Sequence, residues 1–172
     1  MAEKKDNGTS VVTVAEKLAG KYLTFKLADE EYGLEILKVQ EIIQMQAVTK
    51  VPRTPDYVRG VINLRGKVIP VVDLRKKFRF PECEDTEKTC IIVVQVTNDA
   101  NMIIMGIIID EVKEVLDIDA DNIEETPSFG ASIDTEFILG MGKIENSVKI
   151  LLDIDRVLSN DELFALKETS EI

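Results

Sequence analysis

Apolar and polar residues alternate along several short segments of the chain, which is the pattern of β-strands with one buried face. Residues 22–27 alternate, a polar turn follows at 29–31, and residues 32–36 alternate again, so this part predicts a hairpin. Residues 37–43 have an apolar spacing that fits either a helical turn or a strand. The first regular part of the chain is therefore expected to be mostly β-sheet.

Further strands are predicted where apolar segments flank short turns. One hairpin is centred on Arg65 and Gly66, and another on residues 145–147. Residues 90–96 and 102–109 predict two more strands. Short strands separated by turns are typical of small barrels or a sandwich, and not of a parallel sheet with crossover helices.

Helical signals are few and short. Residues 54–60, which begin Thr-Pro and end in glycine, predict one short helix. Asn160 and Asp161 predict the start of a short C-terminal helix. Residues 1–20 are polar and irregular, so we expect a mobile N-terminal arm with at most a weak helical turn.

The chain contains an internal repeat in two parts. Residues 33–43 align without gaps with 106–116, and residues 60–78 align with 140–158. Both parts occur in the same order and at similar offsets, so we interpret them as two copies of one small β subdomain rather than as coincidence. The identical pairs are Gly33 and Gly106, Ile36 and Ile109, Val39 and Val112, Glu41 and Glu114, Gly60 and Gly140, Val68 and Val148, and Asp73 and Asp153.

Two kinds of repeated residue have a structural interpretation. Asp73 and Asp153 each follow a predicted strand, at a position where an aspartate caps a short helix. We favour that role over the alternative of a catalytic carboxylate. Gly60 and Gly106 are expected to be required by the backbone rather than to contact a partner.

Composition argues against several classes of function. The chain has no histidine, which is the commonest transition-metal ligand and the side chain that titrates nearest neutral pH. Cys83 and Cys90 have the spacing of neither a redox pair nor a zinc site, and we expect two reduced thiols. The sequence also lacks phosphate-binding glycine loops and the GxSxG nucleophile turn. We therefore expect no enzyme activity, no metal and no cofactor.

Charge and hydropathy indicate the kind of partner. The net charge of −11 over 172 residues provides no basic surface for nucleic acid, and anionic lipid would repel it. The longest apolar run, residues 102–109, is far shorter than the about 20 residues that span a bilayer. No hydrophobic signal segment follows Lys4 and Lys5. We expect a cytoplasmic protein without direct membrane insertion that binds other proteins.

Two long segments, residues 22–43 and 54–78, resemble the CheW family of bacterial chemotaxis coupling proteins. The most specific signatures are the NLRG turn at 63–66 and the PVVDLR strand exit at 70–75. Segments in the second half match the same family, so the resemblance covers residues 21–158.

The resemblance implies an all-β fold of two intertwined five-stranded SH3-like barrels with short connecting helices, which agrees with the repeat. We expect the first barrel at residues 28–80, and the second at 90–158 together with the N-terminal strand 21–27. Residues 159–172 would form a short C-terminal helix or tail.

The resemblance also implies a function. Proteins of this family bridge the helical cytoplasmic tips of transmembrane chemoreceptors, the methyl-accepting chemotaxis proteins, to the regulatory domain of the histidine kinase CheA. This chain is therefore expected to be a scaffold that is recruited to receptor arrays at the membrane.

Five residues fall by resemblance where the family contacts the receptor or supports its groove: Val39, Glu41, Arg65, Val112 and Val115. Val39 and Val112 are equivalent in the repeat and could line a groove between two barrels. The alternative for the valines is ordinary barrel core. Glu41 could instead be a solvated strand residue, and Arg65 a local brace between strands.

Three residues are candidates for a kinase-facing surface. The resemblance places Val68 and Ile91 on the kinase-facing edge, although the sequence alone would make both core residues. Phe129 lies in an acidic loop and could be an exposed aromatic anchor, whereas phenylalanine is most often buried.

Two other functions compete with the adaptor. A generic β-barrel peptide-binding module outside chemotaxis would share the fold, but the NLRG turn and the repeat argue against it. A hydrolase would need paired carboxylates, for which Glu30 and Glu31 are the example. We expect both of them on an exposed turn, where they favour solubility.

Overall fold

The protein is described by a computed structural model that covers residues 13–98, 101–127, 135–159, 161–162 and 165–166. The fold is all-β, as expected, because the strands far outnumber the short helices. The elements in chain order are α1 Val14–Leu18, β1 Gly20–Leu27, β2 Glu30–Glu35, a 3-10 turn Ile36–Lys38, β3 Val39–Gln44, β4 Val58–Leu64, β5 Lys67–Asp73, α2 Leu74–Lys77, β6 Cys90–Asn98, β7 Asn101–Ile109, β8 Glu111–Ile118, a 3-10 turn Ala120–Asn122, β9 Ile123–Glu124, β10 Ile138–Ile144, β11 Ser147–Leu152 and α3 Ile154–Val157.

The strands form two sheets, and each sheet closes into a barrel. The five-stranded sheet, called the first domain, has the order β3-β6-β7-β5-β4. The six-stranded sheet, called the second domain, has the order β8-β1-β2-β11-β10-β9. Thr49, beyond the end of β3, bridges to Val61 of β4 and joins the edges of the first domain. In the second domain β9 follows β8 through a 3-10 turn and pairs with β10, so the two-residue β9 is a sixth strand where the resemblance implies five.

The strand pairing confirms the internal repeat. In the first domain β5 runs parallel to β7, with Val71 opposite Gly106. In the second domain β11 runs parallel to β2, with Leu151 opposite Gly33. The sequence alignment pairs Val71 with Leu151 and Gly106 with Gly33, so the two copies have the same architecture.

The chain crosses between the domains twice, and this changes the expected barrel boundaries. The first crossover, Ile36–Lys38, leads from β2 to β3, and the second crossover, Asp110, leads from β7 to β8. The expected division into residues 28–80 and residues 90–158 with 21–27 therefore misplaces β2, β6 and β7. Local periodicity cannot reveal a strand that pairs across a crossover, because the parallel partner is distant in sequence.

The largest hydrophobic cluster joins the two domains. This central cluster contains Leu23, Phe25, Leu27, Tyr32 and Leu34 of the second domain, and Val72, Ile92, Val94, Met105 and Ile107 of the first, among others. Each barrel also has a smaller cluster of its own. The first-barrel cluster is Ile62, Ile69, Val71, Ile91, Val93 and Ile108, and the second-barrel cluster is Tyr22, Ile118, Ile123 and Leu151. Neighbouring residues such as Val71 and Val72 face different clusters, so the inner strands are buried on both faces.

Residues 13–20 contain a helix, where the sequence pattern predicts a mobile arm with at most a weak helical turn. The Thr13 hydroxyl accepts a hydrogen bond from the Glu16 N–H at 3.1 Å, and the Glu16 carboxylate accepts one from the Thr13 N–H at 2.9 Å. The Tyr22 hydroxyl donates to the Leu18 carbonyl oxygen at 2.6 Å, and Leu18 packs against the second-barrel cluster. This segment is therefore a capped, packed helix and not an irregular arm, and Thr-x-x-Glu is the signal that indicates it. Residues 1–12 lie outside the described residues.

The short helices follow β5 and β11, as the repeat indicates. Asp73 accepts a hydrogen bond from the Arg75 N–H at 3.0 Å and caps α2. Asp153 accepts one from the Asp155 N–H at 3.1 Å and caps α3. The helix expected at residues 54–60 is instead a turn followed by β4.

Candidate partner-binding surface

The β4–β5 hairpin ends in a two-residue turn that presents a cation. Arg65 and Gly66 have φ values of 50° and 87°, as a tight turn with the twist of the flanking strands requires. Asn63 Oδ1 accepts a hydrogen bond from the Gly66 N–H at 2.8 Å and stabilises this turn. The Arg65 side chain is 69% exposed. The NLRG sequence thus holds a guanidinium at the tip of the hairpin.

Arg65 forms a two-point ion pair with Glu41 of β3. Its Nη1 donates to Oε1 of Glu41 at 3.1 Å, and its Nη2 donates to Oε2. Because β3 and β4 are the two edges of the first domain's sheet, the pair spans the seam where the barrel closes. The hydrogen bonds from Arg65 hold the pKa of Glu41 below its ordinary value. The structure therefore contains the local brace, and it also leaves most of the Arg65 side chain accessible.

Val39, Val112 and Val115 lie on strands of different domains. Val39 begins β3 in the first domain, and Val112 lies near the start of β8 in the second. Both are half-buried and pack against the central cluster. Val115, further along β8, is 51% exposed. Val39 and Val112 are thus at the margin of the core, whereas Val115 is a surface residue.

The candidates for the kinase-facing surface differ in burial. Val68 on β5 is 43% exposed, whereas Ile91 on β6 is fully buried in the first-barrel cluster. Ile91 is therefore a core residue, as the sequence alone indicates, and offers no side chain to a kinase. Its neighbour Ile92 packs in the central cluster, so both faces of β6 are covered. Phe129 lies outside the described residues.

Gly60 and Gly106 lie so close to neighbouring atoms that there is no room for a side chain at either position. A Cβ atom on residue 106 would lie 2.6 Å from Cγ2 of the buried Ile91. A Cβ atom on residue 60 would lie 2.1 Å from the carbonyl oxygen of Thr49, and Gly60 has a φ of 145°. Gly60 therefore permits the bridge that closes the first barrel, and Gly106 permits the packing inside it.

Glu30 and Glu31, the carboxylates of the hydrolase alternative, do not converge. They are successive residues of β2, so their side chains point to opposite faces of the sheet. Glu31 accepts a hydrogen bond from Lys149 Nζ at 2.7 Å, which lowers its pKa. A carboxylate whose pKa is lowered by a cation is a poor general acid, so this pair gives no support to a hydrolase.

A buried ionic network surrounds Arg75, whose side chain is 4% exposed. Its guanidinium donates to Asp73 at 3.0 Å, to Asp85 at 2.8 Å and to Asp110 at 3.0 Å. Arg59 donates to Asp73 as well, at 3.0 Å. Burial raises the pKa of Asp73, but the hydrogen bonds from Arg75 and Arg59 outweigh burial and leave the pKa below its ordinary value. The sequence does not predict this network. Asp85 lies in an acidic connector, where no feature of the sequence distinguishes it from the neighbouring acidic residues.

Glu162 attaches the C-terminal segment to the first domain. It accepts hydrogen bonds from the Tyr57 hydroxyl at 2.6 Å and from Lys77 Nζ at 2.8 Å. Burial raises the pKa of Glu162, but the hydrogen bonds from Lys77 and Tyr57 outweigh burial and lower it to about 2. Residues 161–162 and 165–166 are helical, in agreement with the short helix expected after Asn160.

The described part of the chain contains no group of three or more His, Cys, Asp or Glu residues that could hold a metal ion. Cys83 and Cys90 are both free thiols, and burial raises the pKa of Cys90. Among the described residues no helix is long and apolar enough to cross a bilayer.

Comparison with known proteins gives the family. The model of the CheW-like domain matches residues 21–162. A chemotaxis protein CheW of Klebsiella aerogenes is 38% identical over 157 residues, which cover 88% of this chain and 92% of the relative. A chemotaxis protein CheW of Bacillus subtilis is 35% identical over 151 residues, which cover 87% and 94%.

A solved structure agrees with this assignment. The scaffolding protein TtCheW from Thermoanaerobacter tengcongensis matches with a TM-score of 0.74 and 35% identity, over 84% of this chain and 96% of that chain. The two β-domains and the NLRG turn fit the same assignment. The chain therefore belongs to the CheW-like family.

Proposed function

We propose that the chain is a non-catalytic adaptor that couples the cytoplasmic tips of chemoreceptors to the regulatory domain of the histidine kinase CheA, within arrays at the membrane. The family match and the likeness to a scaffolding protein support this role. The observation that carries the proposal is Arg65, which the most specific signature turn displays on the surface instead of burying in the fold.

The proposed receptor surface consists of Val39, Glu41, Arg65, Val112 and Val115. The three valines offer apolar area that ranges from half-buried to exposed, and the ion pair offers a charged edge. An apolar strip beside polar residues is the kind of surface that binds one face of an amphipathic helix. A receptor tip built of helices presents such a face.

Arg65 is already paired in the free protein, so a receptor carboxylate would have to compete with Glu41. Such an exchange replaces one exposed ion pair with another and adds little affinity by itself. It does select the partner and its register, because a guanidinium recognises a carboxylate at two points. We therefore expect Arg65 to contribute specificity, and the valines to contribute most of the apolar contact.

The proposed kinase surface contains Val68, with Phe129 as a second candidate. Val68 follows the same hairpin turn that carries Arg65, on a strand whose other residues are largely buried. An adaptor must hold both partners at once, so its two surfaces have to be accessible at the same time. A rigid connection between the domains would let a receptor movement reach the kinase contact.

The test is co-sedimentation of the purified chain with CheA and a membrane-anchored receptor fragment. The proposal predicts that all three sediment together and that omission of this chain leaves CheA in the supernatant. A chain that binds neither component would contradict the proposal and would favour a peptide-binding module of another kind.

A further inference from the structure

Each crossover between the domains forms an ion pair with one of the short helices. In the first crossover Lys38 pairs with Asp155 of α3, and in the second Asp110 pairs with Arg75 of α2. The repeat aligns Arg75 with Asp155. The repeat places Lys38 opposite Glu111, the residue after Asp110, so the two pairs occupy neighbouring places in the two copies. They have opposite polarity, since α2 supplies a cation and α3 an anion.

The carboxylate of Asp155 connects the first crossover to both domains. Its Oδ2 accepts a hydrogen bond from Lys38 Nζ at 2.7 Å, and its Oδ1 accepts one from the Thr97 N–H at 2.8 Å. Thr97 lies on β6 of the first domain, whereas α3 follows β11 of the second. The side chains of Lys38 and Asp155 are 27% and 25% exposed, so the pair is partly shielded from screening by salt.

The carboxylate of Asp110 likewise connects the second crossover to both domains. Its Oδ1 accepts a hydrogen bond from Arg75 Nη1 at 3.0 Å, and its Oδ2 accepts one from the Ala28 N–H at 2.8 Å. Ala28 lies in the β1–β2 turn of the second domain, whereas Arg75 directly follows β5 of the first. At each crossover, one carboxylate therefore links the crossover to the first domain and to the second domain.

The two candidate receptor valines follow these fixed positions closely. Val39 is the residue after Lys38, and Val112 is two residues after Asp110. Because successive strand residues point to opposite faces, the backbone at the start of a strand determines where its first side chains are directed. We propose that Lys38 and Asp110 are positioning residues, which hold Val39 and Val112 in the orientation that a receptor helix contacts. This inference rests on the proposed adaptor function.

The sharpest variant is Lys38→Met. It keeps an unbranched side chain, removes the ammonium group and leaves the hydrogen bond between Asp155 and Thr97 in place. Lys38→Arg is the matched control, because it supplies a cation again. We expect Lys38→Met to weaken binding of a receptor cytoplasmic fragment about three- to tenfold, and Lys38→Arg to stay within about twofold of the wild type. CheA should bind both variants as it binds the wild type.

Methyl NMR of the free protein gives a readout that a general loss of stability would not produce. Lys38→Met should shift the Val39 methyl signals and leave those of Val112 in place. Asp110→Asn should do the reverse, because an amide offers one acceptor oxygen to the two donors at that site. Asp110→Asn should also weaken receptor binding, through Val112.

The outcomes separate this inference from the function on which it rests. If the wild type does not bind the receptor fragment, the proposed function fails and the inference fails with it. If the wild type binds and Lys38→Met binds equally well, only the inference is overturned. The inference is also overturned if Lys38→Met weakens CheA binding as much as receptor binding, if Lys38→Arg is as weak as Lys38→Met, or if the Val39 signals do not move.

Discussion

Arg65 and Arg75 flank β5 and carry their charges in opposite environments, with side chains that are 69% and 4% exposed. An exposed ion pair contributes little to stability, because water and salt screen it. Loss of one partner from a buried pair leaves an uncompensated charge and costs about 3–5 kcal/mol. Arg75 is therefore committed to the fold, whereas Arg65 can be used for recognition.

The first prediction, at the residue scale, concerns Arg65→Ala. We expect weaker co-sedimentation with receptor and a fall in melting temperature of no more than about 2–4 °C, because an exposed ion pair contributes little to the stability of a protein of this size. Arg65→Lys, which keeps the charge and loses the two-point geometry, should bind with intermediate strength. Normal binding together with a large fall in melting temperature would show that the brace to Glu41 is the role of this arginine.

Local geometry explains which residue roles could be predicted from the sequence. The turn position of Arg65 and the capping by Asp73 depend on residues close by in the chain. The burial of Arg75 depends on Asp85 and Asp110, which are distant in the chain, as well as on the nearby Asp73. No local pattern therefore predicts it. Ile91 is the opposite case, because the apolar run at the start of β6 predicts a core residue and only the family resemblance placed it on a kinase-facing edge.

At the scale of elements, the hairpins could be predicted from alternation and turn residues, whereas the crossovers could not. β1–β2, β4–β5 and β10–β11 each pair across a short turn, so their signal is contained in one stretch of sequence. The parallel pairs β2–β11 and β5–β7 join distant segments. The repeat is the feature of the sequence that relates these two pairs to each other.

The second prediction concerns the attachment of the C-terminal segment through Glu162. The pKa of Glu162 falls from 4.5 to about 2 in the folded protein. A carboxylate with a lowered folded pKa stabilises the fold above its unfolded pKa and loses that contribution as the pH falls through the folded value. We therefore expect Glu162→Gln to be less stable than the wild type at pH 7, and the difference to shrink as the pH falls from 4.5 towards 2.

Urea unfolding at a series of pH values measures this difference. Glu124→Gln is a suitable control, because the Glu124 side chain is 64% exposed and its pair with Lys143 should contribute little. A destabilisation by Glu162→Gln that stays constant from pH 7 to pH 2 would show that ionisation of Glu162 does not hold the segment.

At the scale of the whole molecule, the central cluster makes the two domains depend on each other. Leu34 of the second domain is fully buried in this cluster, beside residues of the first. Leu→Ala at such a site costs about 2–5 kcal/mol. We expect Leu34→Ala to lower the midpoint of one shared unfolding transition and to speed amide exchange in both domains. Two separate transitions, with the first domain unaffected, would contradict this dependence.

The last prediction uses both domains at once, because Val39 and Val112 belong to different sheets and we propose that one receptor helix contacts both. Extra bulk would obstruct that helix at the surface, whereas bulk added to a true core position costs about 1–3 kcal/mol of stability. We expect Val39→Met and Val112→Met to stay folded, to bind receptor more weakly and to bind CheA normally, with Val14→Met on α1 as a control for added surface bulk. In a titration with a receptor fragment, the methyl signals of Val39 and Val112 should shift together. If only one of them shifts, or if both variants unfold, the two valines do not share a groove.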